Sequence, residues 1–191
     1  MDEGLFRWIN SLANRTGWAH GFFTFYADFG IVLLAALLVV AYLKARQHGD
    51  GPRVAGSIWA GAAPLIALGI GQLIGNSVGR ARPYDAMTGV HLLVARTTDF
   101  SFPSDHATVA GGVAVGLLLT NRRWGTVAVV LAIVMAFTRV YVGAHYPSDV
   151  VAGLVLGGAV AAVGAVVAVP QLSCVVDKLG RTKLRVLVAS G

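Results

Sequence analysis

Long apolar runs separated by short polar segments form the dominant pattern of this chain. We place the runs at 22–43, 54–76, 104–120, 124–142 and 149–169. A helix needs roughly 20 apolar residues to cross the hydrocarbon core of a bilayer, so each run is a candidate membrane span, although the third is short. The pattern predicts an all-α protein, a polytopic membrane helical bundle of about five transmembrane helices, with residues 1–191 forming one domain.

A shorter amphipathic pattern precedes the first run. Leu5, Ile9 and Leu12 fall on one helical face, and two aromatic residues lie beside them. Amphipathic helices of this kind typically lie in the plane of the membrane interface. We therefore expect a short N-terminal interfacial helix over 5–12. The alternative is that these residues begin the first span.

Glycines recur at four-residue spacing along the predicted spans. They are Gly71, Gly75 and Gly79 in and after the second span, Gly112 and Gly116 in the third, and Gly153 and Gly157 in the fifth. Small residues at this spacing let helix backbones approach closely inside a bilayer. The spacing therefore predicts close packing between helices.

Composition supports a membrane environment. Charged residues make up 13% of the 191 residues, while 56% are hydrophobic. A soluble domain usually carries about a quarter charged residues, so we expect membrane lipids to surround much of this chain. Cys174 is the only cysteine, which excludes an intramolecular disulfide.

The formal net charge of +6 is concentrated at the ends of the predicted spans. The basic clusters are Lys44, Arg46 and Arg53, then Arg122 and Arg123, then Lys178, Arg181, Lys183 and Arg185. An alternating path puts all three clusters on one side, and positive charge marks the cytoplasmic side. We therefore expect a cytoplasmic C-terminus and no nucleic-acid partner. A homo-oligomer is compatible with the pattern, but nothing in the sequence supports one.

The polar segments that carry chemistry all fall on the opposite, outer side. Arg139 lies in an apolar run, where a charge costs about 2.5–3.5 kcal/mol near the centre of a span. His145 and Asp149 follow it, with Pro147 suited to the first turn of a helix. A carboxylate that accepts a hydrogen bond from one ring nitrogen leaves the other nitrogen free to act as a nucleophile. The alternatives are a snorkelling arginine and an interfacial helix cap.

Pro103, Ser104, Asp105 and His106 open the third span. A helix N-terminus offers unpaired amides to a phosphate. Ser104 suits either an N-cap or a phosphate contact, and His106 is placed to protonate a leaving oxygen. The alternative is a capped helix with an interfacial histidine.

Arg80 and Arg82 precede Pro83 in the same outer region. Guanidinium groups suit bidentate phosphate binding, although two arginines here are also compatible with surface anchoring. Acidic clusters with the spacing of magnesium or zinc ligands are absent from the sequence, so we expect neither a metal nor another cofactor.

Together these segments resemble the type 2 phosphatidic acid phosphatase superfamily, which includes bacterial lipid phosphatases. The matching residues are Arg82 and Pro83, then Pro103, Ser104, Asp105 and His106, then Thr138, Arg139, His145 and Asp149. The resemblance implies that His145 attacks phosphorus, His106 protonates the leaving group and Asp149 orients His145. It also implies that phosphate oxygens are held by Arg82, Ser104, the Asp105 amide and Arg139.

Three positions depart from the pattern of the family. Thr138 replaces a serine, and Asp105 replaces a glycine, as in the branch that resembles undecaprenyl-diphosphate phosphatases. Gly75 stands where the first motif has a lysine. Arg80 is the nearest candidate to supply the missing charge, as an additional phosphate-binding residue.

These observations favour an enzyme of the bacterial cell membrane that hydrolyses a lipid-linked phosphate or diphosphate at the outer face. Undecaprenyl diphosphate is the favoured substrate. Phosphatidylglycerophosphate, phosphatidate and other polyprenyl phosphates are alternatives of the same class. A transporter or lipid-phosphate binder without turnover is the alternative from a different class.

Overall fold

The structure is a computed structural model that describes residues 2–189. The helices are α1 (Asp2–Arg15), α2 (His20–Gln47), α3 (Gly51–Val78), α4 (Pro83–Ala86), α5 (Asp105–Thr120), α6 (Arg122–Tyr141) and α7 (Pro147–Gly180), with short 3-10 helices at Gly17–Ala19 and Lys183–Leu187. Within the described range, every regular element is a helix, which confirms the predicted all-α class.

Four of the helices, α2, α3, α6 and α7, are long and apolar enough to cross a membrane. The third predicted span corresponds to α5, which has only 16 residues. At 1.5 Å per residue this helix is about 24 Å long, shorter than a hydrocarbon core of about 30 Å. It lies at the centre of the bundle, packed against α3, α6 and α7. Protein therefore covers most of α5, and its length need not match the bilayer.

Glycines let the neighbours of α5 approach it closely. A side-chain carbon at Gly116 would lie 2.8 Å from Ala60 of α3, and one at Gly157 would overlap the Thr108 carbonyl oxygen of α5. Neither position leaves room for a methyl group. The close packing predicted from glycine spacing is therefore confirmed where α5 meets α3 and α7.

The N-terminal segment forms a helix of its own, α1, which the turn at Gly17–Ala19 separates from α2. The predicted separate helix is confirmed, although it is longer than 5–12. The buried face overlaps the predicted one only in part, because Phe6, Asn10 and Ala13 are buried and Ile9 and Leu12 are partly buried, while Leu5 is 48% exposed.

A polar contact explains why this face of α1 turns inward. The Asn10 side-chain amide donates to the backbone oxygens of His91 and Tyr141, at 2.9 and 3.0 Å, and accepts from the His91 amide at 2.9 Å. A pattern of apolar residues gives no sign of a buried asparagine. Through these bonds α1 holds the loop after α4 and the end of α6 together.

The two ends of the bundle differ in character. At one end, a small apolar cluster joins the end of α2, the start of α3 and the C-terminal segment through Ala45, Val54, Val176 and Val188. The three basic clusters flank this end. The opposite end of the bundle is covered by α1. Four helices meet there: α3 and α6 with their last turns, and α5 and α7 with their first turns. The residues predicted to carry chemistry lie at this end.

Candidate active site

A tight turn after α6 brings His145 back towards Arg139. The Arg139 carbonyl oxygen accepts hydrogen bonds from the amides of Ala144 and His145, at 3.1 and 3.3 Å. Gly143 has φ +82°, and a side-chain carbon there would lie 2.8 Å from the His91 carbonyl oxygen. The turn therefore depends on glycine, for its left-handed conformation and for the close approach of the neighbouring loop.

The His145 ring is 1% exposed and hydrogen-bonded through both nitrogens. Its Nδ1 lies 2.8 Å from the Ser101 carbonyl oxygen. A carbonyl can only accept, so Nδ1 carries the proton and Nε2 keeps its lone pair. That lone pair accepts from Arg82 Nη1 at 3.0 Å. Nε2 is therefore the nitrogen with the electronic character of a nucleophile.

Asp149 is fully buried but lies farther from His145 than the sequence suggests. Its Oδ2 is 3.8 Å from His145 Nδ1, too long for a direct hydrogen bond. The carboxylate instead accepts from the Ser101 hydroxyl at 2.5 Å, the Tyr146 amide at 2.9 Å and Arg80 Nη1 at 2.7 Å. The expected direct His145–Asp149 hydrogen bond is replaced because Ser101 contacts both residues, the ring with its carbonyl and the carboxylate with its hydroxyl.

The electrostatic surroundings keep the His145 ring neutral. Burial lowers its pKa to about 4, and the positive charges of Arg139 and Arg82 act in the same direction, while Asp149 opposes them. At neutral pH the ring is therefore uncharged, the form that a nucleophile needs.

Arg82 is buried and points its guanidinium at His145. Besides Nε2 of that ring, it donates to the Ala144 carbonyl at 3.1 Å and to the Asp99 carboxylate and carbonyl, at 2.8 and 3.2 Å. These bonds fix the plane of the guanidinium beside the candidate nucleophile. Asp99 is a partner that no sequence motif marks.

Two other buried donors next to this region have no partner within the described chain. Arg139 is 7% exposed and its Nε makes no hydrogen bond, and the Ser104 hydroxyl is likewise buried without a partner. Ser104 stands at the N-cap position of α5 but makes no side-chain cap bond. Burying an unsatisfied polar group costs free energy, so both donors suit an anionic ligand.

The first turn of α5 adds the remaining predicted residues. The Asp105 carboxylate accepts from Gln72 Nε2 at 3.0 and 3.2 Å. His106 is partly buried and within electrostatic range of Arg82, Arg139 and His145. The structure therefore places His106 at the same end of the bundle as both arginines and His145. Among residues 2–189, His, Cys, Asp and Glu side chains form no group of three or more suited to a metal ion.

Arg80 is placed differently from the other predicted phosphate ligands. Its guanidinium donates to Asp149 at 2.7 Å, to Asp2 at 2.6 Å and to the Ser148 hydroxyl at 2.7 Å. It also lies over the Tyr146 ring, 3.9 Å from the centroid. A phosphate contact of Arg80 stays a prediction, and the contacts observed are with two carboxylates, a hydroxyl and an aromatic ring.

Asp2, Asp99 and Ser101 are among the residues of this region that were not predicted from the sequence. The last two lie within the polar segment before α5, but no spacing marks them. Ser101 acts partly through its backbone carbonyl, which no residue type reveals. Asp2 reaches the site only because α1 folds back onto α7.

Comparisons with known proteins place the chain in a family. The family model described as the PAP2 superfamily matches residues 56–171. The chain is 31% identical over 160 residues to the undecaprenyl-diphosphatase BcrC of Bacillus subtilis, covering 82% of this chain and 78% of that protein. It is 30% identical over 157 residues to an undecaprenyl-diphosphatase of Sulfolobus acidocaldarius, covering 80% and 71%. The crystal structure of Aquifex aeolicus LpxE has the same fold, with a TM-score of 0.65 and 24% identity over 85% of this chain and 93% of that chain.

The four long apolar helices, with a buried histidine and arginines at one end of the bundle, define a multi-pass membrane protein. The chain belongs to the PAP2 superfamily and is a lipid phosphatase. The resemblance seen in the sequence motifs is thereby confirmed.

Gly75, the residue at which the motif spacing predicted a lysine, has tight surroundings. A side-chain carbon there would lie 2.9 Å from the Phe102 carbonyl oxygen. The neighbour is the loop before α5, so the predicted helix-packing role of Gly75 is wrong. Gly79, the next glycine of this series, forms the C-terminal cap of α3, with φ +62°.

We expect the Gly75→Ala substitution to destabilise the protein by about 1–3 kcal/mol, because the added methyl group displaces the Phe102 backbone. The measurement is thermal unfolding in detergent, followed by tryptophan fluorescence. Gly69→Ala is the matched control in α3, since a side-chain carbon at that position would have no neighbour within 4 Å among the described residues. Gly75→Lys should fold poorly and gain no activity. A well-folded and faster Gly75→Lys variant would contradict this account.

Proposed function

We propose that the protein hydrolyses undecaprenyl diphosphate to undecaprenyl phosphate and inorganic phosphate through a phosphohistidine intermediate on His145. The observation that carries the proposal is the buried, neutral His145 ring with its Nε2 lone pair beside Arg82. The two undecaprenyl-diphosphatases that resemble this chain support the choice of substrate.

In the first step, the Arg82 Nη1 donor turns from His145 Nε2 to an oxygen of the terminal phosphate, and the released Nε2 lone pair attacks the phosphorus. A nitrogen–phosphorus bond forms and the bond to the bridging oxygen breaks, with undecaprenyl phosphate as the leaving group. His106 donates a proton to that oxygen. The ring gains positive charge as it attacks, and the Ser101 carbonyl at Nδ1 and the charge of Asp149 stabilise it.

The charge on the transferring group must be neutralised during both steps. Arg82, Arg139, the Ser104 hydroxyl and the amides of the first turn of α5 supply this stabilisation, so we propose that no metal ion is required. In the second step, water attacks the phosphohistidine and gives a proton to His106. Inorganic phosphate leaves and both histidines return to their starting states.

We further propose that the active site faces the outside of a bacterial cell membrane. The basic clusters flank the end of the bundle opposite to the site, and basic residues mark the cytoplasmic side. The C-terminus would then be cytoplasmic. A lipid diphosphate presented at the outer leaflet reaches His145 without crossing the membrane.

A phosphate-release assay on the purified protein tests the substrate. With EDTA present, we expect release from undecaprenyl diphosphate with a kcat/KM at least tenfold above that for phosphatidate, phosphatidylglycerophosphate or undecaprenyl phosphate. A higher kcat/KM for one of the other lipids would assign the protein to that substrate. Release that stops in EDTA and returns with added magnesium would refute metal independence.

Variants of the two histidines test the mechanism. His145→Ala should abolish turnover, because it removes the attacking nitrogen. His106→Ala should slow turnover by roughly a hundredfold to ten-thousandfold, most strongly for poor leaving groups. Acid-labile, base-stable label on the parent protein after a rapid quench with labelled substrate would report the intermediate. Parent-like turnover in His145→Ala would exclude it.

Single cysteines test the orientation in intact cells. Cys174 is exposed and is first replaced by serine. We expect a cysteine in place of the exposed Thr88 to react with an impermeant thiol reagent. One in place of the exposed Arg122 should react only after permeabilisation. The reverse pattern would place the site on the cytoplasmic face.

A further inference from the structure

Asp2, at the start of α1, makes a set of short polar contacts near the catalytic centre. Its carboxylate accepts from Arg80 Nη2 at 2.6 Å, from the Ser148 hydroxyl at 2.6 Å and from the Ser148 amide at 3.0 Å. Ser148 lies in the first turn of α7, where unpaired amides favour a negative charge. These contacts attach the start of α1 to the start of α7.

Arg80 joins Asp2 to the buried Asp149. One guanidinium nitrogen donates to Asp2 and the other to Asp149, at 2.6 and 2.7 Å. Asp149 in turn accepts from the Ser101 hydroxyl, and the Ser101 carbonyl accepts from His145 Nδ1. A series of hydrogen-bonded residues therefore runs from α1 to the candidate nucleophile, and it passes through the side chain and the backbone of Ser101.

The geometry points to Asp2 as a positioning residue, which fixes the Arg80 guanidinium and thereby holds Asp149 in place behind His145. This inference rests on the proposed role of His145. It gives α1 a part in the reaction, and it assigns Arg80 to the support of Asp149 instead of to the phosphate.

Two observations favour positioning over a phosphate contact for Arg80. Both terminal nitrogens of the guanidinium already donate to carboxylates, and its flat face covers the Tyr146 ring. Arg82, in contrast, donates directly to His145 Nε2, the side from which a phosphate is attacked. Arg80 therefore acts on the Nδ1 side of the ring and Arg82 on the Nε2 side.

Asp2 keeps its charge under the conditions in which the enzyme works. Burial alone would raise the pKa of Asp2, but hydrogen bonds from Ser148 and Arg80 outweigh it and lower the pKa below the usual value. The contact is therefore intact at neutral pH and is lost only in acid, as the pH falls through the lowered pKa of Asp2.

Kinetics of Asp2→Asn test the inference, with Glu3→Gln as the matched control. Glu3 is exposed and is the neighbouring carboxylate, so the control removes the same charge without touching Arg80. For Asp2→Asn we expect kcat to fall by about tenfold, which corresponds to one weakened charge-assisted contact. KM, the inhibition constant of inorganic phosphate and the unfolding temperature should stay close to those of the parent. Asp2→Glu should restore most of the rate, and Glu3→Gln should match the parent.

The Arg80→Ala variant distinguishes between positioning of Asp149 and a direct phosphate contact as the role of Arg80. Positioning predicts a lower kcat with an unchanged inhibition constant for inorganic phosphate, whereas a phosphate contact predicts that the inhibition constant rises in parallel. Three results would overturn the inference. They are a rise in the inhibition constant that parallels the fall in kcat of Arg80→Ala, a parent-like kcat in Asp2→Asn, and a loss of kcat in Glu3→Gln equal to that in Asp2→Asn. If His145→Ala stays active, the proposed mechanism itself is wrong. If His145→Ala is inactive and Asp2→Asn is parent-like, only the positioning role is lost.

Discussion

The hydrogen bond from His145 Nδ1 to the Ser101 carbonyl is the interaction on which the site depends. It fixes which ring nitrogen carries the proton, and so directs the Nε2 lone pair towards Arg82. Asp149 contributes its charge from 3.8 Å and holds Ser101 through the hydroxyl. The ring is buried, and these two contacts at its nitrogens set both its tautomer and its orientation.

The position of the short helix α5 depends on close contact between its backbone and that of α7. Its N-terminus must meet the start of α7, and the Ser104 amide donates to the Asp149 carbonyl at 3.1 Å. Gly153 allows that approach, since a side-chain carbon there would lie 2.5 Å from the Ser104 carbonyl oxygen. A helix surrounded by protein need not span the bilayer, so α5 can begin at the depth of His145 and the start of α7.

Burying several charges at the end of a membrane bundle is costly unless each has a partner. Arg82 is paired with Asp99, and Asp149 with Arg80. Arg139 is the exception, with its Nε unsatisfied, and it is the donor best suited to an incoming anion. Asp2 completes the arrangement from α1, which covers this end of the bundle.

The class of fold, the approximate spans and the order of the motifs could be predicted from the sequence, because apolar run length and residue spacing are local properties. Local spacing also placed Arg139, His145 and Asp149 near one another, since a tight turn and the first turn of α7 join them. The hydrogen-bond partners of those residues become known only from the folded arrangement of the helices. Ser101 acts through a backbone carbonyl, and Asp2 lies 146 residues from Ser148 in the chain, although the two are in contact. Contacts of that kind depend on how helices pack, and the order of residues along the chain does not encode them in any readable pattern.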